Sequence, residues 1–358
     1  MRARAIFLRH RSLRWVVPAG LVGAIALAAA GAFSASASTN LPPRSAAQLL
    51  ADLESAKVDG LSGTIVSTAD LGLPALPSIG GSSAGSSPIG LLSGSHTARI
   101  WCAGPTKQRV ALLDAVGEFD LFHNGTDVWQ WSSADKTATH TTLPASGAAM
   151  QPDPTTLTPD QLAKQALAAI GPTTVVTTDA NRRVADRSAY ELVLTPRDTS
   201  SRIGSVKIAI DGEKKIPMGV RIYARGDTAS PALDVSFTRI SFSVPDNDNF
   251  AWTPPKGAIV NRENPSAARP TAPRPDVHAA VQTFGTGWTT ILQTRITPNP
   301  KDENNTQVLG ALRAVSGTWG SGRLFESKLL TGLITDDGRV FVGAVDPQVL
   351  YAAAAAHK

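Results

Sequence analysis

From Gly63 to Ser243 the sequence is cut into short runs of β-branched and aromatic residues, each closed by turn residues. The runs predict strands near Gly63–Thr68, His96–Cys102, Gln108–Leu113, Glu118–His123, Asp127–Ser132 and Thr137–Leu143. They resume near Thr173–Thr178, Ala189–Thr195, Gly204–Asp211, Met218–Ala224 and Ala232–Ser243. Turns such as Asn124-Gly125 and Asp211-Gly212 are too short for parallel crossovers and favour antiparallel hairpins. Helical spacing is confined to two places. Pro43–Val58 carries Ala46, Leu49, Leu50, Leu53 and Ala56 at that spacing, with Ser45 as a cap. Pro159–Ile170 has Thr158 as cap, Pro159 in the first turn and Gly171 as the stop. The expected fold is mainly β (α+β), one strongly curved antiparallel sheet with two or three helices.

The N-terminus reads as an address. Arg2, Arg4, Arg9, Arg11 and Arg14 precede an apolar run from Val16 to Phe33, and Ala35-Ser36-Ala37 comes just after it. This is the layout of a secretory signal, and the basic flank places the rest of the chain outside the cytoplasm. The run is also just long enough to span a bilayer, so removal as a signal peptide and retention as an anchor both stay open. Those arginines account for the whole formal charge of +5 on the 358-residue chain. The remainder is neutral and only 6% of the chain is aromatic, which gives no electrostatic footprint for nucleic acid.

Two breaks divide the rest. Leu71–Ser95 is rich in Gly, Ser and Pro yet carries Leu73, Leu76, Ile79, Ile89, Leu91 and Leu92. It reads as a flexible loop, or as an apolar flap over a cavity or a membrane surface. Arg262–Asp276 holds four prolines without apolar period and reads as a linker. The expected division is 1–37 signal or anchor, 38–260 main domain, 261–276 linker and 277–358 a small C-terminal α+β segment. Within that segment Val277–Ile296 and Val308–Val315 read as ordered, and Lys328–Ala344 as a hairpin turning at Asp337-Gly338.

Catalytic signatures are weak. Gly81-Ser82-Ser83-Ala84-Gly85 matches the nucleophile-elbow pattern, but it sits in a Gly/Ser tract rather than between a strand and a helix. The histidines show no metal spacing, although His123 and His140 lie on neighbouring strands. A single cysteine, Cys102, leaves no internal disulfide or multi-cysteine metal site and reads as a small buried hydrophobe. No phosphate-cradling glycine loop is present. The reading is a protein without catalytic residues, metal or cofactor.

Three segments resemble the LolA/LolB-like carrier superfamily, which also contains the N-terminal domain of RseB/MucB regulators. Asn124-Gly125-Thr126-Asp127-Val128-Trp129-Gln130-Trp131 is similar to the family's turn-then-strand segment. Tyr190–Arg197 resembles its strand end with Pro followed by a basic residue. Phe250-Ala251-Trp252-Thr253-Pro254-Pro255-Lys256-Gly257, running on to Val260, resembles its closing motif. Thr68–Pro77 is similar to a stretch in actinobacterial members. The resemblance covers roughly Pro43–Val260. It implies a half-open β-barrel with an apolar concave face lidded by helices, binding acyl chains or lipoproteins. By that match Val110 and Leu112 point inward, and Trp101, Trp129 and Trp131 are further candidates for the apolar lining. Asn124, Gly125, Trp129, Phe250, Trp252, Pro254, Pro255 and Gly257 are the family's structural motif positions.

Carriers that hand lipoproteins to an outer-membrane receptor have an arginine before the proline matching Pro105. Here that position is Gly104, so the implied binding does not extend to one-way hand-off. The function expected is an extracytoplasmic carrier of lipid or acylated lipoprotein, with a membrane exporter as a partner. The alternative is an envelope-stress regulator that senses lipidated protein and contacts an anti-sigma factor or sensor through 277–358. That segment is small for such a regulator's second domain, which puts the carrier first.

Overall fold

The computed structural model of the chain describes residues 41–73, 93–114, 117–143, 171–263, 281–296 and 309–357. The segment 1–37, the Gly81–Gly85 tract, the expected helix Pro159–Ile170 and most of Leu71–Ser95 and of the linker lie outside the described residues. Among the described residues no helix is long and apolar enough to cross a membrane.

Helix α1 (Ala46–Ser55) begins as expected. The Ser45 hydroxyl accepts from the Gln48 N–H while the Gln48 side chain accepts from the Ser45 N–H, a reciprocal capping box. Strands β1 (Leu61–Asp70), β2 (Ser93–Cys102), β3 (Lys107–Asp114), β4 (Gly117–Asn124), β5 (Asp127–Ser132) and β6 (Thr137–Thr142) form the first run. The second comprises β7 (Thr174–Val184), β8 (Arg187–Pro196), β9 (Ile203–Asp211), β10 (Pro217–Ala224) and β11 (Leu233–Ser241). Within these runs each strand is antiparallel to its neighbours, and β1 pairs with β11 to join the two runs into one curved sheet.

One strand departs from the expectation of a wholly antiparallel sheet. Ile259–Glu263 forms β12 and pairs in parallel with β6, from Ile259 beside Thr137 to Glu263 beside Thr141. The first residues read as linker, Asn261–Glu263, therefore continue a strand. Its partner lies more than a hundred residues earlier, so no hairpin turn announces the pairing. The order is β12-β6-β5-β4-β3-β2-β1-β11-β10-β9-β8-β7, with edges at β12 and β7. The sheet is therefore not closed into a barrel.

The expected turns differ in detail. Gly125, at φ 66°, occupies the first central position of a two-residue loop, where only glycine is unstrained. Asp211-Gly212 instead opens a longer loop, because the Asp211 carboxylate accepts the N–H groups of Glu213 and Lys214 and draws the chain around it. The loop closes where the Asp211 N–H donates to the Ile216 carbonyl.

A second, six-stranded sheet comes after β12. It contains β13 (Gln282–Phe284), β14 (Ile291–Arg295), β15 (Arg313–Gly317), β16 (Gly320–Glu326), β17 (Thr331–Thr335) and β18 (Arg339–Gly343). The hairpin at Asp337-Gly338 is present, with Gly338 at φ 85°. Helix α2 (Pro347–Ala356), not foreseen, packs Leu350 and Ala354 against Ile291, Leu333, Phe341 and Val345. The buried Arg339 side chain pairs with Asp337 and donates to the carbonyls of Ala354, His357 and Trp319. It thereby satisfies the orphan carbonyls at the end of α2.

Asp211, fully buried, forms a two-point pair with Arg187 at 2.5 and 3.1 Å. Burial alone would raise its carboxyl, but the Arg187 hydrogen bond and the two backbone donors outweigh that and hold it below the ordinary carboxylate value. A carboxyl depressed in the folded state contributes stability above its unfolded value, and that contribution is lost as pH falls below about 4. In urea unfolding, Asp211→Asn is expected to cost about 2–3 kcal/mol at pH 7. The difference from the parent should shrink as pH falls toward 3. A constant difference across that range would refute the assignment.

Candidate functional site

Residues directly opposite one another in a β-ladder share a face, so the register decides which candidate residues meet. One row across β1 to β6 reads Ser62, Trp101, Arg109, Phe122, Trp129 and His140. The next row reads Gly63, Ile100, Val110, Leu121, Gln130 and Thr139. A third, Ile65, Ala98, Leu112, Phe119 and Ser132, lies on the same side as the second. Val110 and Leu112 therefore point to one face, and Trp101, Trp129 and Trp131 to the other. The five residues read as one apolar lining do not share a face.

The face of Val110 and Leu112 is the one that carries α1, and it is called the inner face below. Leu49, Leu50 and Leu53 pack on Tyr190, Leu192 and Ile210, with Val176, Leu194 and Ile208 beside them. The ladder continues that face through Val220 and Val235 to β1. Toward β9–β11 it is also covered by the second sheet. Leu329 joins Ala69, Leu71, Val206, Ile222 and Val235, and Trp288 packs beside them with its indole N–H on the Thr174 hydroxyl at 2.8 Å. Lys328 secures this contact through its N–H to the Leu71 carbonyl and its ammonium to Asp70.

Toward β2–β5 the inner face is different. Ala98 and Leu112 are buried, but Ile65, Ile100, Val110, Phe119, Leu121 and Val128 are only half-buried. Among the described residues, the cluster around Leu112 consists of strand residues alone. Ile65, Ala98 and Phe119 were missed in the sequence. They follow from Leu112 only once the partner strands and their register are known.

The outer face explains the tryptophans. The Arg109 guanidinium lies between the rings of Trp101 and Phe122, at 4.8 and 4.6 Å, and donates twice to the buried Asp120. Trp252 stacks on Phe122 at 5.3 Å and meets Trp129 and Trp131 at 5.3 and 5.8 Å. Pro254–Gly257 then turns, with Gly257 at φ 88°, and delivers the chain into β12. Two of the sequence motifs therefore touch each other. Segment Asn124–Trp131 supplies the platform, and Phe250–Val260 straps across it, with Phe250 itself buried.

His123 and His140 do not approach one another. His123 shares a face with Val128 and bonds the Gly125 carbonyl, whereas His140 stacks on Trp129 at 4.2 Å and bonds Asp127. Cys102 is half-buried, and burial pushes its thiol up, away from the reactive thiolate. Among the described residues no three His, Cys, Asp or Glu side chains gather as metal ligands. A cleft of about 300 Å³ lies where the end of β8 meets the Thr286–Thr289 turn, walled by Arg197, Asp198 and Trp288. Its walls are about equally polar and apolar, with the charged Arg197 and Asp198 among them.

The sequence matches no family model and no curated protein. Solved structures similar in fold include Pseudomonas aeruginosa MucB, in complex with MucA, at 16% identity. That match covers 86% of this chain and 96% of the matched chain of the complex, with a TM-score of 0.44. A LolA superfamily protein from Nitrosomonas europaea matches at 11% identity over 59% of this chain and 99% of its own, with a TM-score of 0.22. An uncharacterised conserved protein from Thermus thermophilus matches at 10% identity over 60% and 97%, with a TM-score of 0.34. The likeness is one of fold, and the face assignments above rest on this chain's own register.

The two faces make a separable prediction. Trp252→Ala removes the half-buried ring that holds the outer strap and is expected to cost roughly 2–3 kcal/mol, below the value for a fully buried tryptophan. Binding of an apolar fluorescent probe should stay within about twofold of the parent once the variant is folded, because Trp252 does not reach the inner face. Loss of probe binding with unchanged stability would reverse the assignment of faces.

Proposed function

We propose that this protein is a non-catalytic module that acts outside the cytoplasm and holds the acyl chain of a lipid or acylated protein on the inner face of its curved sheet. The observation that carries this reading is the asymmetry of that face. Toward β7–β11 it is filled by α1, Leu329 and Trp288, while toward β2–β5 a broad apolar patch is only half-buried. Apolar surface in that state favours an apolar occupant, with each buried methylene contributing about 0.8 kcal/mol. The arginine-flanked apolar N-terminus supports export. A carrier of this kind would receive its cargo at the membrane surface from an exporter.

A second reading is favoured by one further contact. The C-terminal residues build a six-stranded sheet and a helix with their own core, and Leu329 and Trp288 rest on the same inner face as the proposed acyl site. A cargo that spread toward β11 would meet them, which suits a sensor that reports occupancy to an anti-sigma factor or another envelope partner. The carrier reading needs no such partner and remains first.

Val110→Trp tests the site, since it places an indole on the half-buried part of the face. Its melting temperature should stay close to the parent's while affinity for a fluorescent fatty acid falls at least tenfold. In a packed core the same change would cost about 1–3 kcal/mol. A variant that is destabilised to that extent, from a parent that binds no fatty acid, would leave only a structural core and end the acyl-binding proposal.

A further inference from the structure

The inner face is interrupted at one point by an unpaired polar group. Ser67 lies on β1 between Ile65 and Ala69, 1% exposed, and its hydroxyl has no hydrogen-bond partner among the described residues. Its ladder neighbours are Val235 on β11 and His96 on β2. Beside the larger Ile65, Val235 and His96, two of the residues near it are small. Ala69 and Ala98 are buried, and Gly94, opposite Ala69, has open space where a Cβ would stand. The position is also a seam. On one side the face is filled by the cluster of Leu71, Val235 and Leu329, on the other lies the half-buried Val110, and Ile65 packs against both.

A buried hydroxyl without a partner is costly, and a strand in a filled core would be served better there by alanine or valine. A hydroxyl has one proton to donate, so what it lacks is an acceptor. A hydrocarbon chain offers none, whereas the carbonyl oxygen of an ester, amide or carboxyl group offers one. We infer that Ser67 is the polar anchor of the inner-face site, donating its hydroxyl proton to the carbonyl oxygen of an acyl ligand whose chain lies along Ile65 and Val110. This rests on the acyl-binding reading above and adds a selection to it. The site prefers an apolar chain that carries a carbonyl over a bare hydrocarbon of the same length.

The test uses the full chain, N-phenyl-1-naphthylamine as the fluorescent probe, and methyl laurate and tetradecane as competitors of matched length. Ser67→Ala should bind the probe within twofold of the parent and melt at the same temperature or higher, because it removes an unpaired hydroxyl. Its affinity for methyl laurate should fall about five- to tenfold, the worth of one hydrogen bond, while tetradecane is unchanged. Ser67→Cys, of similar size but a weaker donor, should fall between and guards against a folding defect in the first variant. An equal change for both competitors overturns the anchor and leaves the apolar site standing. So does a lower melting temperature with unchanged binding, the mark of a structural water. A parent that binds neither probe nor competitor overturns the reading beneath it.

Discussion

An open sheet of this width exposes two faces, and the fold depends on how its inner apolar face is kept from water. Hydrophobic burial scales with area, so each covering element contributes in proportion to what it hides. Helix α1 covers β7–β9 with Leu49, Leu50 and Leu53. The second sheet covers β9–β11 with Leu329 and Trp288. The strand pairing of β1 with β11 carries the same face onward to β2–β5, where the half-buried patch begins. Structure and proposed function thus share one surface, and the division between them falls near Ser67.

The outer face combines a buried cluster that includes Val184, Ala189 and Ala209 with polar and aromatic contacts. Arg109 between Trp101 and Phe122, fixed by Asp120, begins a stack that passes through Trp252 to Trp129 and His140. Further along this face, buried Glu191 receives Arg221, Lys207 and Arg182, which spares a carboxylate the cost of burial without a cation. In the second sheet Arg339 performs the equivalent task for the end of α2. The carboxylates of Asp120 and Glu191 are thus paired with cations, although the Arg221 Nε stays buried without a hydrogen-bond partner among the described residues.

Two sequence motifs that look independent have one structural cause. The turn at Asn124-Gly125 sets the register of β4 on β5 and so brings Phe122 beside Trp129. Trp252 then has a platform to stack on, and Pro254–Gly257 turns the chain into β12 beside β6. The motif residues therefore hold the strap and the sheet edge. Ile65, Ala98 and Phe119 belong to neither motif and join Leu112 only through the register of their strands.

The eleven antiparallel strands, α1 with its Ser45 cap and the Asp337-Gly338 hairpin were legible because each rests on local signals: alternation, capping residues and glycine at a positive φ. The parallel strand β12 was not, since its partner is remote in sequence and leaves no turn to read. Helix α2 was masked by an alanine-rich run whose burial depends on the sheet beneath it. The composition of each strand shows that both faces carry apolar residues, but it cannot say which face is which. That was decided by register alone, through the β1–β11 pairing, which sets Val110 and Leu112 on the side of α1 and the tryptophans on the other. A one-residue slip would exchange the two faces, and only contacts between strands far apart in the chain prevent it.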